Sequence, residues 1–257
     1  MSSDETIIRS HVTGKTKEFL TAHPEWRGDT KEEKTIDGYL QRRNMGEPLA
    51  YILGFKEFYG RKFKVSPDVL IPRPETENLV DVAISLKPKK VLDVGTGSGC
   101  IAISLALELP NSTVSGVDIS DEALKVAKDN ILALKVKVDF YKSDLLDNVK
   151  NEKYDLIIAN LPYVNKDWYW IDENLKYEPK EALFASDNGL QVIKRLVVET
   201  QEYFTKSKTA GDKRLLLEAD PCQRKEIVKF AKKFGFAEEK KNMTNEYAVL
   251  LKYNVND

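Results

Sequence analysis

The sequence predicts an α/β fold built on a mostly parallel sheet with helices on both faces. From Lys90 onward, short apolar runs rich in β-branched residues alternate with longer runs at helical spacing, which is typical of strands joined by crossover helices. A glycine-rich turn follows the first of these strands, at the position where open α/β sheets bind ligands. The 257 residues, 42% of them hydrophobic, suffice for one large domain with a small appendage.

The individual elements follow from the same patterns. The predicted strands span 91–94, 113–117, 136–141, 156–159 and 214–218, and a last strand at 247–251 is expected to pair antiparallel at the sheet edge. The predicted helices span 101–109, 122–134, 190–204 and 222–234.

The region before the alternation divides into two parts. Residues 5 to 45 carry two runs at helical spacing with a break between them, which predicts a small helical hairpin. A β-hairpin with strands at 50–54 and 58–65 is predicted next, followed by a helix from Glu75 to Leu86. The expected domains are a short N-terminal helical segment (1–45), a β-hairpin linker (46–74) and the main domain (75–257).

Composition excludes several classes of protein. The net charge of -1 gives no general attraction to nucleic-acid phosphates. The two cysteines, Cys100 and Cys222, do not form a zinc-binding pattern, and both histidines, His11 and His23, lie outside the main domain, where a catalytic triad would need one. The sequence starts without a secretory signal pattern, and its longest apolar stretch is too short to span a bilayer. We expect a cytoplasmic protein that contacts neither membrane nor nucleic acid directly.

Glycines at alternate positions follow the first predicted strand. Gly95, Gly97 and Gly99 allow a sharp turn and a close approach of the backbone to a ligand. Their spacing is G-x-G-x-G, which differs from the G-x-G-x-x-G of dinucleotide-binding proteins, and no P-loop lysine follows. The pattern indicates a nucleotide-like ligand without identifying it.

Acidic residues at three successive strands narrow the choice of ligand. Asp93 lies within the first strand, Asp118 ends the second, and Asp144 follows the third. Asp118 could accept hydrogen bonds from two ribose hydroxyls, and Asp144 could accept one from an adenine amino group. Carboxylates attract the positive sulfonium of S-adenosylmethionine but repel a pyrophosphate, so the set favours S-adenosylmethionine over NAD.

The segment Asn160-Leu161-Pro162-Tyr163 follows the buried-looking strand at 156–159. The lone pair of an amide or adenine nitrogen is delocalised, so the nitrogen must be held with its N–H groups on acceptors and aimed at the methyl. The side-chain oxygen of Asn160 and the carbonyl of Leu161 are suitable acceptors, and Tyr163 could stack on the planar group. The sequence therefore predicts an enzyme that methylates a planar amino or amide nitrogen.

Five segments, taken together, resemble a known family. The whole set is similar to the HemK/PrmC family of N5-glutamine methyltransferases, which act on peptide chain release factors in translation termination. The resemblance covers roughly residues 46 to 253, and Ile71-Pro72-Arg73-Pro74-Glu75-Thr76-Glu77 is its most specific part. It implies a class I methyltransferase domain with a Rossmann-like, mostly parallel seven-stranded sheet. The other segments are 46–51, 93–99, 160–163 and 177–183.

The resemblance also implies roles for individual residues. The acceptor is the glutamine of a Gly-Gly-Gln motif in the release factor, the product is S-adenosylhomocysteine, and no metal or second subunit is expected. Asn160, Pro162 and Tyr163 are the expected catalytic residues, and with Leu161 they would hold the glutamine amide. Arg73 and Glu75 would shape the pocket wall or contact the protein substrate. The expected cofactor-binding residues are Asp93, Gly95, Thr96, Gly97, Gly99, Asp118, Ile119, Asp144, Leu145 and Asn160.

The sequence departs from the family pattern in two places. Leu161 stands where the family usually has the first proline of Asn-Pro-Pro-Tyr, and the helical segment before Gly46 is shorter than usual. Four alternatives stay open: an N6-adenine methyltransferase on DNA or RNA, a methyltransferase of a ribosomal-protein glutamine, a catalytically inactive binder, and a dehydrogenase.

Overall fold

A computed structural model describes residues 2–149, 153–168, 173–207, 211–240 and 246–254. The chain divides into two compact units, one made of Met1–Phe55 with Asp172–Tyr177 and the other of Lys56–Ile171 with Glu178–Asp257.

The first unit is helical. The spacing of its apolar residues predicts a hairpin of two helices over residues 5–45, but three helices occupy this stretch, because Gly14 ends the first one with a left-handed φ of 68°. A side chain caps the N-terminus of each of its first three helices. Ser2, Thr16 and Asp29 each precede a helix and accept hydrogen bonds from backbone N–H groups of its first turn. Ile8, Leu20 and Ile36 are fully buried. The helices are α1 (Ser3–Thr13), α2 (Lys17–Ala22), α3 (Thr30–Asn44) and α4 (Leu49–Leu53).

The prediction of a strand at 50–54 is wrong, because this stretch forms α4. Pro48 precedes the helix as its N-cap, and Gly54 ends it with a left-handed φ of 78°. The predicted hairpin exists but is shorter and lies further along the chain, with β1 (Phe55–Phe58) and β2 (Arg61–Lys64) as a two-stranded sheet. Tyr59 and Gly60 make its tight turn with positive φ angles of 49° and 70°.

The second unit contains a seven-stranded sheet in the order β5-β4-β3-β6-β7-β9-β8. Its strands are β3 (Lys90–Val94), β4 (Thr113–Asp118), β5 (Asp139–Lys142), β6 (Leu156–Ala159), β7 (Lys213–Glu218), β8 (Phe236–Glu238) and β9 (Ala248–Tyr253). Its helices are α5 (Glu77–Leu86), α6 (Cys100–Glu108), α7 (Asp121–Leu134), α8 (Lys180–Leu183), α9 (Gln191–Lys206) and α10 (Arg224–Lys232).

The last strand is antiparallel, as predicted, but it does not lie at the edge. β9 pairs with β7 on one side and with β8 on the other. The edge strand on this side is β8, which was not predicted because three residues carry too little pattern to indicate a strand.

Alternation along β3 places its side chains in two cores, one on each face of the sheet. Val91 packs with residues of α5, α6 and α7, whereas Leu92 and Val94 pack with residues of α9 and α10. Helices therefore cover both faces. Among the described helices, none has the length and apolar character needed to cross a membrane.

The register of the parallel strands brings their carboxyl ends together. Val94, the last residue of β3, stands opposite Val117 of β4 and Ala159 of β6. Ala159 in turn stands opposite Leu217 of β7. The residues that follow these strands therefore lie along one edge of the sheet.

Candidate functional site

A cavity of about 590 Å³ opens where the loops after β3, β4, β5 and β6 meet. Eleven of the residues predicted to form the site line it: Arg73, Gly95, Thr96, Gly97, Asp118, Ile119, Asp144, Leu145, Asn160, Leu161 and Pro162. Four others, all in the described part of the chain, lie outside the lining: Glu75, Asp93, Gly99 and Tyr163. Glu75 is on the exposed surface.

The glycine loop turns through left-handed backbone at each of its glycines. Gly95 has a φ of 72°, and a Cβ on it would lie 2.8 Å from Cδ2 of Leu161. Gly97 has a φ of 54°, and of the described atoms none lies within 4 Å of where its Cβ would be. Gly97 therefore faces open space, whereas Gly95 is covered by the leucine that follows β6.

Asp118 holds this loop in place from the end of β4. Its Oδ2 accepts from the backbone nitrogen of Gly97 at 2.8 Å, and its Oδ1 accepts from that of Ser120 at 3.0 Å. Burial raises the pKa of Asp118, although the two backbone hydrogen bonds oppose that rise. The next residue, Ile119, is an apolar side chain 61% exposed at the cavity, a surface on which a planar base can pack.

Asp144 is bound by Arg195 of α9, a residue that was not predicted to belong to the site. Nη1 of Arg195 lies 2.9 Å from both carboxylate oxygens of Asp144, and its Nε lies 2.6 Å from Glu199. The hydrogen bond with Asp144 is the main cause that raises the pKa of Arg195. Both Asp144 and Arg195 line the cavity.

Asp93 supports the glycine loop from beneath and is fully buried. Its Oδ2 accepts from Thr96 Oγ1 at 2.6 Å and from the backbone nitrogen of Ala102 at 3.2 Å. Its Oδ1 has no hydrogen-bond partner among the residues described. Desolvation raises the pKa of Asp93 to about 7.

The carboxamide of Asn160 is bound at its nitrogen end. Nδ2 donates to Thr76 Oγ1 at 3.0 Å and to Glu218 Oε1 at 2.9 Å. Oε1 of Glu218 also accepts from the hydroxyl of Tyr163 at 3.1 Å. Since both amide hydrogens are used, Oδ1 is the end of Asn160 that can accept from a ligand.

Glu218 is buried and Tyr163 is partly buried, and the pKa of each group is raised. Desolvation raises the pKa of Glu218 to about 7, and hydrogen bonds from Thr76, Tyr163 and Asn160 oppose that rise. Desolvation and the neighbouring Glu218 carboxylate raise the pKa of Tyr163. Neither Glu218 nor Thr76 is among the site residues predicted from the sequence, although an acid that ends an apolar strand is a visible signal.

Arg73 reaches the cavity wall and is anchored by Glu178. Its Nη2 donates to Glu178 Oε1 at 2.5 Å, and Glu178 Oε2 accepts from the backbone nitrogen of Ile71 at 3.0 Å. Glu178 is buried and belongs to the segment 177–183 that the sequence analysis singled out without assigning it a role. In the described ranges, His, Cys, Asp and Glu form no group of three that could hold a metal ion.

The sheet order and the site at the strand ends define a class I methyltransferase, and a match of residues 75–196 to the family "Methyltransferase small domain" agrees with this. Residues 3–54 match the family "PrmC N-terminal domain". The chain belongs to the release factor glutamine methyltransferase family, which confirms the resemblance seen in the sequence.

Two curated relatives support the family assignment, and one solved structure shows the same fold. The release factor glutamine methyltransferase of Koribacter versatilis is 44% identical over 72% of this chain and 69% of the relative. That of Coxiella burnetii is 37% identical over 91% of this chain and 84% of the relative. The crystal structure of ribosomal protein L11 methylase from Lactobacillus delbrueckii shares the fold, with a TM-score of 0.52 and 20% identity over 77% of this chain and 86% of that one.

Proposed function

We propose that this chain transfers a methyl group from S-adenosylmethionine to the side-chain nitrogen (N5) of the glutamine in the Gly-Gly-Gln motif of peptide chain release factors. One observation carries the proposal: the Asn160 carboxamide lines the cavity with both N–H groups bound to Thr76 and Glu218. Its oxygen is thereby left to accept from a substrate –NH2. The curated relatives named as release factor glutamine methyltransferases support the choice of acceptor.

The residues at the other end of the cavity fit S-adenosylmethionine. Asp118 would accept from the ribose hydroxyls, Ile119 would pack on the adenine, and Gly97 leaves open space for close approach. Asp144 would accept from the adenine amino group. When bound, the cofactor supplies a methyl group on a positively charged sulfur. The carboxylates of this site suit that charge and would repel the pyrophosphate of NAD.

The proposed contribution of the chain is orientation. Asn160 Oδ1 and the Leu161 carbonyl would each accept one N–H of the glutamine amide and so fix the plane of the nitrogen. Fixing two reacting groups in place can contribute roughly 7–11 kcal/mol to lowering a barrier. Pro162, in the cavity lining, would stiffen the backbone that presents the Leu161 carbonyl.

Tyr163 remains a prediction as a stacking surface for the amide. Its hydroxyl donates to Glu218 Oε1, the same oxygen that accepts from Asn160. Arg73, anchored by Glu178, is proposed to meet the release factor or the wall of its bound loop. Thr96, Leu145 and the remaining loop residues would shape the cofactor end.

We further propose that the protein works as a monomer in the cytoplasm, with a release factor as its protein partner and without metal or direct contact to nucleic acid. The balanced composition, with 40 Lys and Arg against 41 Asp and Glu, supports a protein substrate over a polyanion.

The test is incubation of the purified protein with a release factor and S-adenosylmethionine labelled in its methyl group. We expect label on the Gly-Gly-Gln glutamine, located by mass spectrometry of the digested release factor. A release factor with Gln→Ala at that position should take no label. Equal labelling of that variant would contradict the acceptor, and label on RNA, DNA or a ribosomal protein would favour the corresponding alternative.

The role of Asn160 is tested in the same assay. Asn160→Ala should abolish labelling and leave the affinity for S-adenosylhomocysteine nearly unchanged in calorimetry. Asn165→Ala is the matched control, because Asn165 follows the same strand but contacts Asn188 instead of Glu218. Full activity of Asn160→Ala would show that this amide does not hold the acceptor.

A further inference from the structure

The chemistry proposed for Asn160 depends on which way round its carboxamide lies. The oxygen and nitrogen ends of this group have nearly the same shape, but only the oxygen can accept from a substrate –NH2. With the group turned over, Nδ2 would present hydrogens to the hydrogens of the glutamine amide. Some feature of the fold must therefore select one orientation.

The carboxylate of Glu218 selects it, and Thr76 assists because its hydroxyl donates to Glu218 and so keeps its oxygen for Asn160. Thr76, just before α5, and Glu218, at the end of β7, lie within 3.0 and 2.9 Å of Asn160 Nδ2. Turning the group over would place Oδ1 against the Glu218 carboxylate, and two acceptors repel each other. The contact with Glu218 is built into the sheet, because Ala159 and Leu217 stand opposite each other in register.

Burial of the Glu218 carboxylate is unfavourable for folding by itself. Glu218 is 1% exposed, and its Oε2 has no hydrogen-bond partner in the part of the chain that is described. A buried carboxylate with an unpaired oxygen costs folding free energy. Its three donors, Thr76, Tyr163 and Asn160, all gather around the amide that faces the cavity.

We propose that Glu218, assisted by Thr76, is a positioning residue that fixes the Asn160 carboxamide with its oxygen toward the substrate amide. This rests on the proposed function of the same site. Glu218 acts through Asn160 and does not line the cavity, so it is not itself a catalytic residue.

The kinetic test compares Glu218→Leu, which has no acceptor, with Glu218→Gln, which keeps one. Misorientation should lower kcat for the release factor about 100-fold in Glu218→Leu, the loss typical of a group misplaced by about 1 Å. The affinity for S-adenosylhomocysteine should stay within about twofold, because the cofactor end is untouched, and Glu218→Gln should lie between wild type and Glu218→Leu. Wild-type kcat in Glu218→Leu would overturn the proposal.

Thr76 supplies a second pair of variants that leaves the buried carboxylate in place. Thr76→Val removes the hydroxyl at nearly constant volume and should lower kcat, whereas Thr76→Ser restores the hydroxyl and should recover it. A purely structural role would lower the melting temperature of Thr76→Val without changing kcat of the folded protein. If Glu218→Leu does not fold, as judged by thermal melting, the Thr76 pair and Glu218→Gln decide the question.

A readout that does not need turnover is the nitrogen-15 resonance of the Asn160 side chain, assigned from its loss in Asn160→Asp. Bonded to buried acceptors, its two hydrogens should exchange with water at least about tenfold more slowly than those of Asn165. Slow exchange should be lost in Glu218→Leu. Equally fast exchange in wild type would overturn the proposal. A wild-type protein that shows slow exchange but labels no release factor would contradict the proposed function while supporting the orientation of Asn160.

Discussion

Arg195 holds Asp144 through a single nitrogen, with Nη1 2.9 Å from each carboxylate oxygen. Its Nε binds Glu199, and the other oxygen of Glu199 accepts from the backbone nitrogen of Leu146. The loop after β5 is therefore joined to α9 by two side chains, one turn of helix apart. The carboxylate proposed to recognise adenine is thus bonded to a helix as well as carried by its own loop.

Removing that support should weaken cofactor binding modestly. Arg195→Ala should lower the affinity for both S-adenosylmethionine and S-adenosylhomocysteine about two- to fivefold, since half-exposed ion pairs contribute about 0–1 kcal/mol. Calorimetry with both ligands distinguishes a loss of Asp144 positioning from a change in the charge near the bound ligand. Lys206→Ala, on the same helix and paired with Glu202, is the control. Tighter binding of the cationic ligand alone would show that Arg195 repels charge instead of positioning Asp144.

Asp118 should matter more, because it binds both the glycine loop and, as proposed, the ribose. Asp118→Ala should weaken S-adenosylhomocysteine binding about 10- to 100-fold, in line with about 1.5–3 kcal/mol for hydrogen bonds to a charged group. Asp121→Ala is the control, because the carboxylate of Asp121 pairs with the exposed Lys142. This variant should bind S-adenosylhomocysteine as tightly as the wild type does. Unchanged binding by Asp118→Ala in calorimetry would rule out the proposed ribose contact.

The two glycines of the loop should respond differently to the same change. Alanine at either position must adopt left-handed backbone, which costs roughly 1–2 kcal/mol. Gly95→Ala must also displace Leu161, so it should lower the free energy of unfolding further than Gly97→Ala in urea titrations. Gly97→Ala adds its methyl to open space and should chiefly weaken cofactor binding. The reverse order of stabilities would contradict the packing of Leu161 over Gly95.

Stability should fall with rising pH because of Asp93. Its pKa is raised to about 7 in the folded protein, so the folded state binds the extra proton between the unfolded value near 4 and about 7. The stabilising contribution of the protonated Asp93 carboxyl is fully present below pH 4 and is lost as the pH rises through 7. The free energy of unfolding falls by up to about 1.4 kcal/mol per pH unit in this range. Glu218, with a pKa also near 7, acts in the same direction.

Asp93→Asn should flatten this dependence in urea titrations at pH 5 to 8, because asparagine stays neutral and its oxygen can still accept from Thr96. Asp139→Asn, an exposed change on β5, serves as the control. The prediction would be contradicted if the free energy of unfolding of the wild type increased over this range and Asp93→Asn showed the same pH dependence. Asp93 would then be ionised in the folded protein without destabilising it.

Leu161 allows the departure from the family's proline to be tested. Leu161→Pro should keep kcat within about threefold, since the proposed acceptor is a backbone carbonyl that both residues have and proline chiefly restrains φ. Leu161→Ala should lower the free energy of unfolding by about 2–5 kcal/mol, because Leu161 is buried against Gly95. A large change of kcat in Leu161→Pro would show that backbone stiffness at this position limits the rate.

Much of the main domain could be predicted because its strands are continuous apolar runs. β3, β4, β6 and β7 each lie within a residue of the predicted limits. α4 was not recognised because Ala50-Tyr51-Ile52-Leu53 suits a strand or a helix equally, and its flanking Pro48 and Gly54 decide the outcome. The place of β9 between β7 and β8 is set by tertiary pairing, which leaves no local pattern.

The lining of the cavity could be predicted where it depends on strand ends, whereas the contacts behind it could not be predicted because they join distant parts of the chain. Gly97, Asp118 and Asn160 could be recognised because residues that follow parallel strands converge. Arg195 lies 51 residues from Asp144 and Glu218 lies 58 from Asn160, so only the folded sheet brings them together. Nothing local marks Arg195, which reads as an ordinary exposed helix residue.

The interior position of β9 has a consequence for biosynthesis. Glu218 stands opposite Ala248, so the strand bearing the key carboxylate keeps one side unpaired until residues 248–253 have left the ribosome. A ribosome stalled before that point would expose the unpaired backbone N–H and C=O groups of β7. We expect such nascent chains to recruit chaperones and to acquire cofactor affinity only after residues 248–253 have emerged.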